Sequence, residues 1–159
     1  MVAYKATCLC DWKRRDIKSM TDAVSIALSG LRAQQTRLAA GASNIANAST
    51  TGTVPAASPS APASTAASSS TVYKPLSVNL TSLAAGGVRA DVSADPKGYS
   101  LIYDPSSPYA NSEGMIAAPN VDLTREIVNL LEIKTSYKAN LAVLKTQDEM
   151  LGELLDTRA

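Results

Sequence analysis

The sequence has no histidine, no phenylalanine and a single tryptophan, and aromatic residues make up only 4 % of it. Without histidine the chain lacks the commonest general base and the commonest metal ligand, and no Ser-His-Asp or Cys-His arrangement is possible. With so few aromatics, any core must be aliphatic. A formal net charge of +1 creates no strong field to draw in nucleic acid or an acidic membrane. No stretch approaches the ~20 apolar residues of a membrane span. The two cysteines, Cys8 and Cys10, are too close for an unstrained disulfide and too few for zinc, so they read as incidental thiols. Gly86-Gly87 is a turn pair, not a phosphate cradle. The carboxylates Asp91, Asp95, Asp104 and Glu113 sit in turn-like sequence, where such groups ordinarily cap backbone. Tyr99, Tyr103, Tyr109 and Tyr137 have no basic patch around them and read as core or interface tyrosines. These absences exclude an enzyme of the common classes, and leave no cofactor, metal, nucleic acid or small-molecule substrate to expect.

What is present lies mainly at the two ends. Leu123, Ile127, Leu130, Lys134, Tyr137, Leu141, Leu144, Asp148, Leu151 and Leu155 alternate steps of four and three, the heptad seam along which helices wind together. No proline interrupts it, and Gly152 is its single glycine. At 1.5 Å per residue such a helix runs roughly 50 Å, longer than a domain of this size needs for its own core. Leu131, Ile133, Met150 and Leu154 flank the seam and widen it beyond what one partner helix covers. Pro119 halts the preceding element, Asn120 is placed to cap the first turn, and Asp122 and Glu126 put negative charge at the positive end of the helix dipole.

A second, shorter seam runs through Val24, Leu28, Leu31, Gln35, Leu38, Ala42 and Ile45, within a helix expected from Met20 to Ala46. Gly30 and Gly41 each lower its intrinsic stability by roughly 1 kcal/mol relative to alanine, so it needs a partner. Residues 1–19 show no period and carry their basic cluster, Lys13-Arg14-Arg15, last, unlike a secretory signal. They are expected to form a disordered extension, or a leader ahead of a start at Met20.

Between the seams, residues 53–71 are Ala, Ser, Pro and Thr apart from Val54. Such a segment cannot bury enough apolar area to offset its ordering entropy and reads as a flexible linker. From 72 to 118 the period turns to two. Strands are expected over Val72–Leu80, Val88–Val92 and Tyr99–Tyr103, with turns at Ala84–Gly87 and Asp95–Gly98. The expected fold class is mainly α with a small β insert: two terminal helices (20–52 and 119–159) paired as a coiled coil, a short antiparallel β region at 72–118, and the linker.

Two sets of motifs then point to a family. Ser29-Gly30-Leu31-Arg32-Ala33-Gln34, Ser43-Asn44-Ile45-Ala46-Asn47 and Thr50-Thr51-Gly52 resemble the N-terminal signature of the bacterial flagellar axial proteins, the rod, hook and hook-associated subunits. Glu126-Ile127-Val128-Asn129-Leu130-Leu131-Glu132 and Ser136-Tyr137-Lys138-Ala139-Asn140 resemble their C-terminal signature, in the expected order. Val88-Arg89-Ala90-Asp91-Val92, Tyr103-Asp104-Pro105-Ser106-Ser107-Pro108 and Glu113 to Val121 are similar to the stretch before the last helix in the proximal-rod members. The resemblance covers about 20–52 and 72–159; where the linker lies, relatives carry a shorter, more polar segment.

The resemblance implies a structural subunit of the proximal rod, in the periplasmic part of the basal body. Such subunits are exported unfolded by the flagellar type III apparatus without a cleaved signal, and stack with their own copies and other rod proteins into a torque-transmitting tube. It implies an intramolecular seam of Leu28, Leu31, Leu38 and Ile45 against Ile127, Leu130, Leu141 and Leu144, with Asn44, Asn47, Tyr137 and Asn140 in subunit contacts. The alternative is a non-flagellar coiled-coil adaptor that holds a partner with its β insert.

Overall fold

The computed structural model describes the backbone of residues 3–55 and 72–156, and side chains from residue 21 onward within those ranges. Most of the expected linker, 56–71, and the side chains of Cys8 and Cys10 lie outside the described residues. Two long helices, α1 (Ala3–Asn47) and α2 (Leu123–Asp156), bracket four short strands: β1 (Leu76–Ser82), β2 (Val88–Ala94), β3 (Tyr99–Tyr103) and β4 (Met115–Pro119). They form two antiparallel hairpins, β1 with β2 and β3 with β4. The class is therefore mainly helical with some β.

Several boundaries differ from those expected. Helical backbone begins at Ala3, ahead of the first period at Met20. The stretch from 3 to 29 contains neither proline nor glycine, so nothing stops a nucleated helix from propagating towards the N-terminus. Strand β1 begins four residues later than the alternation at Val72, because Pro75 has no N–H for a ladder; its carbonyl instead accepts a bond from Asp95 N at 2.9 Å. Asp122, not Asn120, caps α2: its Oδ1 accepts Thr124 N at 3.0 Å and Arg125 N at 3.2 Å. Asn120 is still held in extended chain, its N–H donating to Gly98 O at 2.9 Å.

The described structure divides into two compact units, one from Met1–Thr36, Leu80–Asp91 and Glu132–Ala159, the other from Arg37–Asn79 and Val92–Leu131. The division falls within both helices and within β1 and β2. In the first unit Ala27, Leu31, Ala33, Gln34 and Ile133 are buried, and a Cβ added to Gly30 would lie 2.8 Å from Asn140 Nδ2. In the second, Ala40, Asn44, Val72, Ile116, Ala117 and Ala118 are buried. There Gly41 lies against Glu126 and Leu130, and one turn on Asn44 reaches back to Glu126, so the helices run antiparallel at that contact.

The β1–β2 turn rests on α1 in the first unit. Gly86 and Gly87 both have φ of 88°, in the left-handed region that side chains rarely occupy. A Cβ on Gly87 would stand 2.5 Å from Ser29 Oγ, the hydroxyl that accepts a bond from Val88 N at 3.1 Å. Gly87→Ala is therefore expected to destabilise the fold by about 1–3 kcal/mol, read from the urea midpoint by circular dichroism. Gly152→Ala, where a Cβ meets nothing within 4 Å, is expected to stabilise by up to about 1 kcal/mol.

Candidate assembly interface

The side chains turned inward along the helices are not the large aliphatic ones. On α1 the positions 27, 31, 34, 41 and 44, buried along with Ala33 and Ala40, carry Ala, Leu, Gln, Gly and Asn. On α2 Glu126, Leu130, Ile133, Tyr137, Asn140, Leu144 and Gln147 are among the less exposed positions, with Asn129 and Ser136 beside them, and again alternate four and three. This inward stripe shares Leu130, Tyr137 and Leu144 with the heptad seam read from sequence, and is rotated from it by about 50° around the helix. Glycine and alanine on α1 permit the close approach, and the larger residues are turned aside.

The expected intramolecular seam is accordingly divided. Leu31 is buried, and Ile45, Leu130 and Leu144 are partly buried. Leu28, Leu38, Ile127 and Leu141 are 40–55 % exposed, so the chain covers only about half of each. With them Ile26, Val128, Leu131, Val143, Met150, Leu151, Leu154 and Leu155 leave extensive aliphatic surface in water. A free-standing domain rarely exposes so many large aliphatic side chains along its helices without a use for them.

Of the four residues assigned to subunit contacts, Asn44 has another role in the chain. It is only 2 % exposed, and its amide is fully engaged. Nδ2 donates to Leu76 O at 2.9 Å and Glu126 Oε1 at 2.8 Å, and Oδ1 accepts Leu76 N at 2.7 Å. The Tyr73 hydroxyl lies 2.9 Å from Asn44 Oδ1 and 2.9 Å from Ser43 Oγ; with one proton, it donates to the amide and accepts from the serine. One side chain thus joins α1, the start of β1 and the first turn of α2, and acts on Leu76 as a neighbouring strand would. Sequence reasoning missed this because the partners are 32 and 82 residues away. Asn47 instead turns back on its own helix, donating to Ser43 O at 2.8 Å. Tyr137 and Asn140 are partly buried, Asn140 against Gly30.

Among the described residues no group of His, Cys, Asp and Glu could hold a metal ion, and no helix is long and apolar enough to cross a membrane. The surface offers packing and backbone pairing rather than chemistry.

Comparisons with known proteins fit such a surface. The family described as "Flagella basal body rod protein" matches residues 25–52, and "Flagellar basal body rod FlgEFG protein C-terminal" matches residues 112–157. The flagellar basal-body rod protein FlgC of Yersinia enterocolitica is 34 % identical over 143 residues, covering 86 % of this chain and 96 % of the relative. The chain belongs to the FlgC family of flagellar basal-body rod proteins. FlgC of Escherichia coli O6:H1 is 38 % identical over 82 % of this chain and 91 % of its own length, and FlgC of Agrobacterium fabrum 33 % identical over 86 % and 94 %. A FlgC-family chain is a structural subunit of the rod and not an enzyme. The matched segments include the Asn44 clamp's α1 and α2 members.

Proposed function

We propose that this FlgC-family chain builds the proximal rod by polymerising through its terminal helices, passing torque along the stack. The observation that carries this is the aliphatic surface on α2 and α1 that the chain leaves uncovered, Leu28, Leu38, Ile127 and Leu141 foremost. In this reading the two helices pair as a coiled coil over their small-residue stripe, and the outward heptad positions belong to neighbouring copies and other rod proteins. Contacts of this heterologous kind do not close on themselves, and so extend as a helical assembly. Apolar burial of about 25 cal/mol per Å² then supplies the drive for assembly. Delivery by the flagellar export apparatus to the periplasmic basal body belongs to the same proposal.

The test is a clean deletion, followed by swimming in soft agar and electron microscopy of basal bodies. The expected result is loss of swimming with no rod beyond the inner ring, restored by the full chain. Complete basal bodies in the deletion strain would remove the rod role.

A further inference from the structure

The bonds Leu83 N to Gly87 O and Asp95 N to Pro75 O place odd-numbered β1 residues on the ladder with β2 and turn Leu76 outward. There Asn44 stands where a neighbouring strand would, with Oδ1 on Leu76 N and Nδ2 on Leu76 O. This pairing has a sense. A half-turn about the last side-chain bond exchanges Oδ1 and Nδ2 with little change of shape. Donor would then face donor and acceptor face acceptor, and both bonds to Leu76 would be lost.

The remaining partners of the amide bear unequally on that choice. The Tyr73 hydroxyl donates to Oδ1 at 2.9 Å and has Ser43 Oγ at 2.9 Å on its other side. Hydroxyls both give and accept, so this pair serves either sense. Glu126 Oε1 takes the second Nδ2 hydrogen at 2.8 Å, and a carboxylate oxygen accepts only. Of the two side chains bonded to the amide, only Glu126 admits a single sense. Its carboxylate is held in place from both sides. Asp122 caps the turn that carries it, and its second oxygen lies over Gly41, 3.4 Å from where a Cβ would stand.

We propose that Glu126 is a positioning residue that sets the sense of the Asn44 amide, so that docking of the first turn of α2 and attachment of β1 to α1 are coupled. When that turn withdraws, the amide is free to rotate and Leu76 loses its stand-in strand. The coupling is reciprocal, because a bound Leu76 holds Nδ2 towards Glu126. Both bonds of the carboxylate's partner reinforce one another, since a charged acceptor on one Nδ2 hydrogen polarises the whole amide. The device works within one chain and is independent of the helical surfaces assigned to the rod.

The test is native-state hydrogen exchange in the full chain, followed residue by residue by NMR. The rate at Leu76 N is compared with that at Ala117 N, which donates to Gly52 O at 3.0 Å and has no part in the clamp. A general loosening speeds both amides, whereas loss of the amide's sense speeds Leu76 alone. Glu126→Ala is expected to raise the Leu76 rate relative to Ala117 at least about tenfold, as loss of one charge-assisted hydrogen bond would. Glu126→Met, which keeps the length of the side chain without its acceptor oxygens, is expected to do the same and guards against a poorly folded alanine variant. Tyr73→Phe removes a bond that serves either sense, and is expected to leave the ratio within about threefold of the parent. A ratio that stays at the parent value in both Glu126 variants overturns the coupling. So does a Tyr73→Phe chain in which Leu76 exchanges as fast as in Glu126→Ala, because every bond to the amide would then count alike.

Discussion

Asn44→Leu lowers the unfolding free energy by about 3 kcal/mol or more, a large part of the 5–15 kcal/mol of an ordinary domain. Leucine keeps the branched heavy-atom skeleton of asparagine, with bulkier ends, but forms none of its bonds. The N–H and C=O of Leu76 and Glu126 Oε1 lose their Asn44 partner, and the Tyr73 hydroxyl keeps only Ser43. A buried polar group left without a partner costs about 1–3 kcal/mol, and several are released together. Urea denaturation followed by circular dichroism measures the loss; a change below about 1 kcal/mol would show that water replaces the amide and that the clamp is dispensable. Asn44→Asp separates geometry from charge. It keeps the acceptor oxygen for Leu76 N but sets a second carboxylate at the 2.8 Å contact with Glu126. Two carboxylates that close bind a proton more readily than they do in the unfolded chain. Their folded pKa is thus raised, so the stability they contribute is present below about pH 4 and lost as pH rises through the raised value. The variant should therefore be weakest near neutral pH and recover as pH falls, whereas Asn44→Leu should show no such recovery.

Leu141→Asp is expected to abolish rod formation while leaving the isolated chain folded. The side chain is 43 % exposed in the chain, so its replacement costs the free protein about 1–2 kcal/mol of apolar burial and helix propensity, less than an ordinary domain's stability. Within an assembly that buries this position, an unpaired carboxylate costs several kcal/mol at every copy. The expected phenotype is normal expression and helicity, no swimming in soft agar and no completed rods by electron microscopy. Leu31→Asp provides the contrast: Leu31 is 7 % exposed, so a carboxylate there should unfold the chain itself and deplete it in the cell. Motile cells with intact rods carrying Leu141→Asp would remove that position from the interface.

The comparison of sequence with structure turns on these same residues. The four-three alternation at both ends depends only on local helix geometry, so it located α2, the later part of α1, and the excess of apolar surface over what one chain can cover. The turn at Gly86-Gly87 and strand β3 were equally legible, because left-handed φ and strand alternation are properties of a few consecutive residues. The same holds for the family motifs around Ser29–Asn47 and Glu126–Asn140.

Which side of each helix turns inward was decided elsewhere. A helix with apolar residues around much of its circumference offers several packing faces, and Leu28, Leu38, Ile127 and Leu141 were as suitable by pattern as the stripe through Ala27, Leu31, Gly41 and Leu130. The choice follows from close approach at glycine and alanine, and from the requirement that buried polar groups find partners. Asn44 has no local signal of its role, since its bonds cross 32 and 82 residues of chain. By itself, then, the sequence determined helices at both ends, a small β region between them, membership of the rod family and the absence of catalytic chemistry. Only the tertiary structure decided that Asn44 closes the chain on itself and that the large aliphatics stay half exposed, because pairing between distant segments is settled by packing and hydrogen-bond satisfaction rather than by local period.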